Sequence, residues 1–392
     1  MDAATSVARA RRPAALLARA ALLLGIAALP VGFNAWIDPA RLVAPRNAER
    51  EIARVLAAGH NVTNFANYDD RAIEKYLSPL RRERPEVLVL GSSRMQVLRG
   101  RGSGGAGVRG SATTRGESAA FVNGAMQGAV LDDILGVYGV YDTAELRPRR
   151  VLLGVDPWTE STSGEGWRSL AEERAMVMRR AGIPVSPVRD RIALWARAAR
   201  TLATPEYFRL SLYSFRRYGP GGIAWRPTDA AGNAEKTKLP DGSVAWSALP
   251  DDNAEHAAAR FASSELAHDA RFHDFARRAP GRAGALERFI RYLGSEGVTV
   301  TIVLVPLPAA VYDASRRVSG DSLAVVERKL RSMAARTGVG VAGSYDPRRV
   351  GVTTADFFDE THLRPEALAR VARGPESGVR GPEVRASGVG LP

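Results

Sequence analysis

Three short stretches of this chain hold residue types that could act on a carbonyl carbon. LVLGSSRMQ, 88–96, closes an apolar run on Gly91 and then presents Ser92 and Ser93 where a helix begins. DFFDETHLRPEAL, 356–368, puts Asp359 three residues before His362. FVNGAMQGAVLDD, 121–133, carries Asn123 and, five residues on, Gly128. A serine hydroxyl is a poor nucleophile near neutral pH and needs a base, and an imidazole base needs a carboxylate to orient it. Of the five histidines, at 60, 256, 268, 273 and 362, His362 is the one with a nearby aspartate after the last strand-like run. The pair can meet on one helical turn or on a loop leading into a helix. A glycine such as Gly128 lets backbone approach a ligand and leaves an N–H for an oxyanion. Each stretch also has a plain structural reading: a helix cap for the serines, a capping histidine ahead of RPEALARV, and an ordinary strand-to-helix turn after Asn123.

Such residues do chemistry only if elements hold them together. Val/Ile/Leu-rich runs recur at 86–91, 119–125, 150–156, 298–306 and 339–344, as parallel strands covered on both faces do. Between them lie helix-like stretches at 131–146, 283–297 and 323–338, the last two ending in glycine. This pattern predicts a three-layer α/β domain. Ser92, Ser93 and Asn123 then fall at the carboxyl ends of strands, where open α/β sheets bind ligands. Two regions interrupt the domain. One is a Gly/Ser/Thr/Arg loop at 100–118. The other, 159–280, reads as a cap or substrate-side insertion, with helices near 167–182 and 190–217 and a hairpin at 238–246. Trp158, Tyr207, Phe208, Tyr213, Trp225 and Trp246 are candidates for stacking on sugar rings, against core packing as the alternative. Arg94 could meet an anionic substrate, although an exposed arginine at a helix start is the commoner case. The tail at 373–392 has too few large apolar residues to pack and is expected to be disordered.

At the amino end, Arg9, Arg11, Arg12 and Arg19 precede an uncharged, mostly apolar stretch at 20–37. Its length is about that of a membrane-crossing helix, and the arginines predict a cytoplasmic amino end with the rest outside. A cleaved signal peptide and a buried soluble helix are the rival readings. Residues 38–84 then read as an extracytoplasmic linker with some helix. The 392 residues carry 55 basic and 42 acidic side chains, a net +13 spread along the chain as arginine without a dense basic block. That distribution suits lipid head groups or acidic polymers better than nucleic-acid reading. The absence of cysteine excludes disulfides and thiolate chemistry. There is no P-loop, no GxGxxG and no metal-ligand spacing, so neither a cofactor nor a metal is expected.

Taken together and in order, the motifs resemble those of the SGNH (GDSL-like) hydrolase superfamily. G91-S92-S93, N123-x4-G128, G154-V155-D156 and D359-x-x-H362 stand where that family has its four signature blocks, over residues 85–372. The resemblance implies a five-stranded parallel, flavodoxin-like sheet in an α/β/α sandwich. It implies Ser93 as nucleophile, His362 as base, Asp359 as its orienter, and the N–H groups of Ser93 and Gly128 as oxyanion donors. The family's further donor is an Asn side chain, where this chain has Asp156; an ionised carboxylate cannot donate. Either Asp156 points away, holding loop backbone before Pro157, or Asn123 or Gln127 substitutes. The anchor, the GSS and the insertion are similar to membrane-anchored members acting in cell-surface acylation, such as the D-alanyl transfer protein of teichoic acid and the alginate O-acetylation proteins. The resemblance therefore implies a periplasmic or cell-surface esterase or O-acyltransferase for envelope polysaccharide, beside a multi-span O-acyltransferase. A non-catalytic glycan-binding or scaffold protein on the same fold is the alternative that Asp156 raises.

Overall fold

A computed structural model describes residues 19–374, with its longer breaks at 101–120, 161–168, 220–224, 231–235, 247–251 and 266–283. The expected loop at 100–118 and tail at 373–392 fall, but for their first residues, outside the described ones. In chain order the helices and strands begin with α1 (28–37), α2 (Asn47–Ala57), β1 (Asn61–Thr63), α3 (Asp70–Leu77) and β2 (Val87–Leu90). They continue with β3 (Phe121–Asn123), α4 (Leu131–Thr143), β4 (Arg150–Gly154), α5 (Ala171–Arg180), α6 (Pro187–Leu202) and α7 (Pro205–Tyr218). Next come β5 (Arg226–Thr228), β6 (Thr237–Lys238), β7 (Val244–Ala245), α8 (Asp252–Arg260) and α9 (Ala285–Ser295). The chain closes with β8 (Thr299–Leu304), α10 (Ala309–Ser319), α11 (Ser322–Thr337), β9 (Gly340–Gly343) and α12 (Pro365–Arg373).

The five expected strands form one wholly parallel sheet in the order β3-β2-β4-β8-β9. Alternation along each strand feeds two cores. Leu88, Leu90, Val151, Leu153, Val300, Ile302 and Leu304 face one side, under α4, α5, α9, α10 and α11. Val89, Val303 and Val305 face the other, under α12 and the segments around Met95–Leu98 and Val352–Leu363. Side chains on both faces are fully buried, each contributing ~1.5–3 kcal/mol by leaving water. That is why these strands read as continuous apolar runs rather than as alternating ones. Because β2 has β3 on one side and β4 on the other, the chain reverses direction across the sheet there, and a crevice opens at the carboxyl ends of β2 and β4.

Two expectations about organisation change. Residues 38–84 are no linker: α2, β1 and α3 belong to the same compact unit as the large sheet, with Ile52, Leu56, Ile73 and Leu77 buried. The stretch at 159–280 is not one insertion either. Its ends, including α5 and β5 to β7, belong to that unit, whereas 187–224 belongs with 1–46 and 66–69 to a second unit. A small antiparallel sheet, β5-β1-β6-β7, joins the former linker to the former insertion, and its β6–β7 hairpin, Thr237–Ala245, overlaps the hairpin expected at 238–246 but begins one residue earlier.

The second unit is built from α1, α6 and α7. Phe33 lies against Phe208 and Phe215 at 5.5 and 6.0 Å between ring centres, and Leu42, Ala198, Leu202 and Tyr207 form a small core. Asp38 ties the turn after α1, accepting from the N–H groups of Leu42 and Val43 at 2.6 and 2.9 Å and from the Tyr207 hydroxyl at 3.0 Å. Every described position from 19 to 37 is helical, but several residues within 20–27 lie outside the described ones. Among the described residues no helix is long and apolar enough to cross a membrane.

Candidate active site

Ser93 follows β2 through a tight turn at Gly91. Gly91 has φ +146°, and a Cβ there would meet the carbonyl oxygen of Gly154 and Cγ of Met95, each at 3.0 Å. Only glycine lets β2 and β4 come this close at their carboxyl ends. The two serines then part company. Ser92 is the buried cap of the 3-10 turn Ser93–Met95, its hydroxyl accepting from the Arg94 N–H at 3.3 Å. Ser93 is partly exposed, and its Oγ lies 2.9 Å from Nε2 of His362.

His362 sits on a tight loop leading into α12, closed by an antiparallel bridge between Phe357 and Leu363. Asp359 folds back under it: its carboxylate accepts from the N–H groups of Thr361 and His362 at 2.9 and 2.7 Å and reaches Nδ1 of His362 at 2.7 Å. With the Nδ1 proton held by Asp359, Nε2 offers its lone pair to the Ser93 hydroxyl. Burial pushes the Asp359 carboxyl up, but the His362 ring and the two backbone N–H groups outweigh it, and the net direction is below the ordinary value of 3.8. A carboxyl lowered by folding stabilises the fold fully above its unfolded value and loses that stabilisation as pH falls through the folded value. Urea melts of wild type and Asp359→Asn should therefore differ by a constant amount from about pH 7 to about pH 5, and the difference should shrink below 3.8.

The other expected site residues fall out unequally. Gly128 is exposed at φ +62°, and neither its N–H nor that of Ser93 has a hydrogen-bond partner among the described residues. Asn123 is not an oxyanion donor. Fully buried, its amide donates to the carbonyls of Met95, Gln96 and Leu98 at 2.9, 3.3 and 2.8 Å, and its Oδ1 accepts from the Ala125 N–H. It is the brace that shapes the segment after Ser93. Gln127 has its backbone N–H 3.4 Å from Asp70 Oδ2. Asp156 is not a donor and does not hold loop backbone through its carboxylate. It forms a buried ion pair with Arg94 at 2.7 Å, the two side chains 4% and 2% exposed.

Arg94 is therefore buried rather than exposed, with its guanidinium spent on protein acceptors. Its guanidinium also donates to the carbonyls of Val305 and Pro306 beyond β8, at 2.7 and 2.5 Å, and to that of Thr361 at 3.3 Å. One side chain thus ties the turn that carries Ser93 to the ends of β4 and β8 and to the loop that carries His362. Its partners lie 62 to 267 residues away in sequence, so no local pattern marks it.

Of the aromatic candidates, Trp246 alone is placed against the catalytic-type triad. It stacks on the His362 ring at 5.5 Å between centres and 29°, beside Phe358 at 5.6 Å and 14°. The β6–β7 hairpin brings it there, fastened by Val244 N–H to the Gln96 carbonyl and Asn123 N–H to the Asp241 carbonyl, at 2.8 and 2.7 Å. A buried Lys238–Asp70 pair at 3.0 Å, with Gln96 also on Asp70, holds the same edge. Trp158 and Tyr207 are core residues, and Phe208 packs on Phe33. Among the described residues no group of His, Asp and Glu could hold a metal ion. Comparison with family models, curated proteins and solved structures finds no match to this chain.

Proposed function

We propose that this chain is an extracytoplasmic, membrane-anchored serine esterase or O-acyltransferase of SGNH type, on a flavodoxin-like sheet, acting on acyl esters of cell-envelope polysaccharide. The observation that carries the reading is the continuous hydrogen-bonded series Ser93–His362–Asp359 at the carboxyl edge of the parallel sheet. Ser93 Oγ attacks the ester carbonyl while His362 Nε2 takes its proton. The developing oxyanion faces the N–H groups of Ser93 and Gly128. The intermediate collapses as the leaving alcohol takes the proton from His362, which leaves an acyl group on Ser93. Water or a glycan hydroxyl then gives its proton to His362 and attacks the acyl carbon, releasing acid or a new ester and restoring Ser93. Hydrolysis and transfer differ only in that last acceptor. The basic flank and apolar run at 20–37 are the basis for the anchor, and a multi-span membrane O-acyltransferase is the proposed acyl source.

The scaffold alternative rested on a carboxylate at an oxyanion position. Asp156 is committed to Arg94, so that objection to turnover loses its force. The test is mass analysis of the purified chain after incubation with acetyl and longer acyl esters. An acyl-sized increment on the peptide carrying Ser93 is expected; its absence under every ester, together with no ester turnover, would sink the enzyme reading. Trp246→Ala should leave the fold intact but free the imidazole to rotate, lowering kcat about ten- to a hundredfold with little change in KM in a steady-state assay.

A further inference from the structure

We propose that α6 is a second membrane-contact element, lying along an anionic lipid surface. Of the twelve large hydrophobic side chains exposed among the described residues, ten belong to the unit of α1, α6 and α7; only Leu80 and Val318 do not. On α6, Val188, Ile192 and Trp195 are 71, 64 and 57% exposed, at spacings of four and three that align them on one face. The buried residues of the helix, Ala198 and Leu202, continue the same line three and seven residues after Trp195, so the exposed stripe is the amino-terminal extension of the face that packs into the small core.

The occupant follows from the charge. The sixteen residues of α6 hold four arginines, at 189, 191, 197 and 200, against the single acid Asp190. Arg189 and Arg200 fall on one side of the stripe and Arg191 on the other, as the 100° step of a helix dictates. An apolar face with a tryptophan, bordered by arginines, matches the boundary between lipid head groups and acyl chains. A second copy of the chain would bring the same arginines and repel them, whereas anionic lipid complements them. Five charges in sixteen residues exclude a spanning helix. The proposal does not depend on Ser93: the site can fail its test while this one passes.

The cysteine-free chain makes the test direct. Ile192→Cys and, as a second reporter, Trp195→Cys are labelled with an environment-sensitive fluorophore in the full-length protein reconstituted into phosphatidylglycerol-containing vesicles. Val318→Cys, in the other unit, is the reference. Emission from positions 192 and 195 should shift to the blue, be quenched by doxyl-labelled lipid, and resist aqueous iodide; position 318 should show the opposite. The proposal is overturned if positions 192 and 195 stay as open to iodide as 318 in anionic vesicles. It is overturned equally if they are protected to the same degree in vesicles of phosphatidylcholine alone, which offer no anionic head group to the flanking arginines.

Discussion

Alanine at Ser93 is expected to lower turnover of an activated acetyl ester by on the order of 10^4-fold or more and to abolish labelling by a fluorophosphonate. Alanine at Ser92 should leave labelling in place. The contrast comes from where the two hydroxyls are. Ser93 Oγ is the atom 2.9 Å from the imidazole, and nothing else in the turn can replace it. Ser92 caps backbone, so its loss should cost only ~1 kcal/mol of stability, read in urea melts. Removing Asp359 should hurt less than removing Ser93, because the His362 ring stays wedged against Trp246 and Phe358 when its orienting carboxylate is gone. Wild type and Ser93→Ala that label alike would falsify the nucleophile assignment outright, whatever the fate of the other variants.

Much of this arrangement is legible in the sequence because it is local or periodic. The five parallel strands announce themselves as Val/Ile/Leu runs, since burial on both faces removes the polar alternation that would otherwise blur them. The Asp359-x-x-His362 spacing carries its own geometry: the carboxylate caps the N–H groups of the loop it shares with the imidazole. What stays hidden depends on distant partners. Asn123, read as a possible oxyanion donor, spends its amide on three carbonyls 25 to 28 residues upstream, a use that no motif encodes. Residues 38–84 look like a linker because their elements are short and charged, although Ile52, Leu56, Ile73 and Leu77 do recur at helical spacing. The stretch at 159–280 hides its division because both parts are arginine- and alanine-rich; only packing assigns α6 and α7 to α1 and the β6–β7 hairpin to the sheet.

Replacing Arg94 by methionine is expected to destabilise the larger unit by about 3–5 kcal/mol, because it leaves the Asp156 carboxylate buried without its counter-charge. For a unit of this size that is a fall in Tm of about 10 °C. The guanidinium also fills carbonyl acceptors at Val305, Pro306 and Thr361, which methionine cannot do. Arg94→Lys keeps the charge yet should recover only part of the loss, since one ammonium cannot reach acceptors in three directions at once. The informative variant is Arg94→Met with Asp156→Leu. Removing both charges relieves the unpaired carboxylate, so thermal stability should return most of the way toward wild type. Activity should not return with it, because the base loop remains untied from the Ser93 turn and a displacement of about 1 Å between Oγ and Nε2 can cost on the order of a hundredfold. A double variant as stable and as active as wild type would reduce Arg94 to packing. One that is stable but slow, with kcat lowered and KM little changed, identifies the Arg94–Asp156 pair as the tie that holds Ser93 and His362 in register.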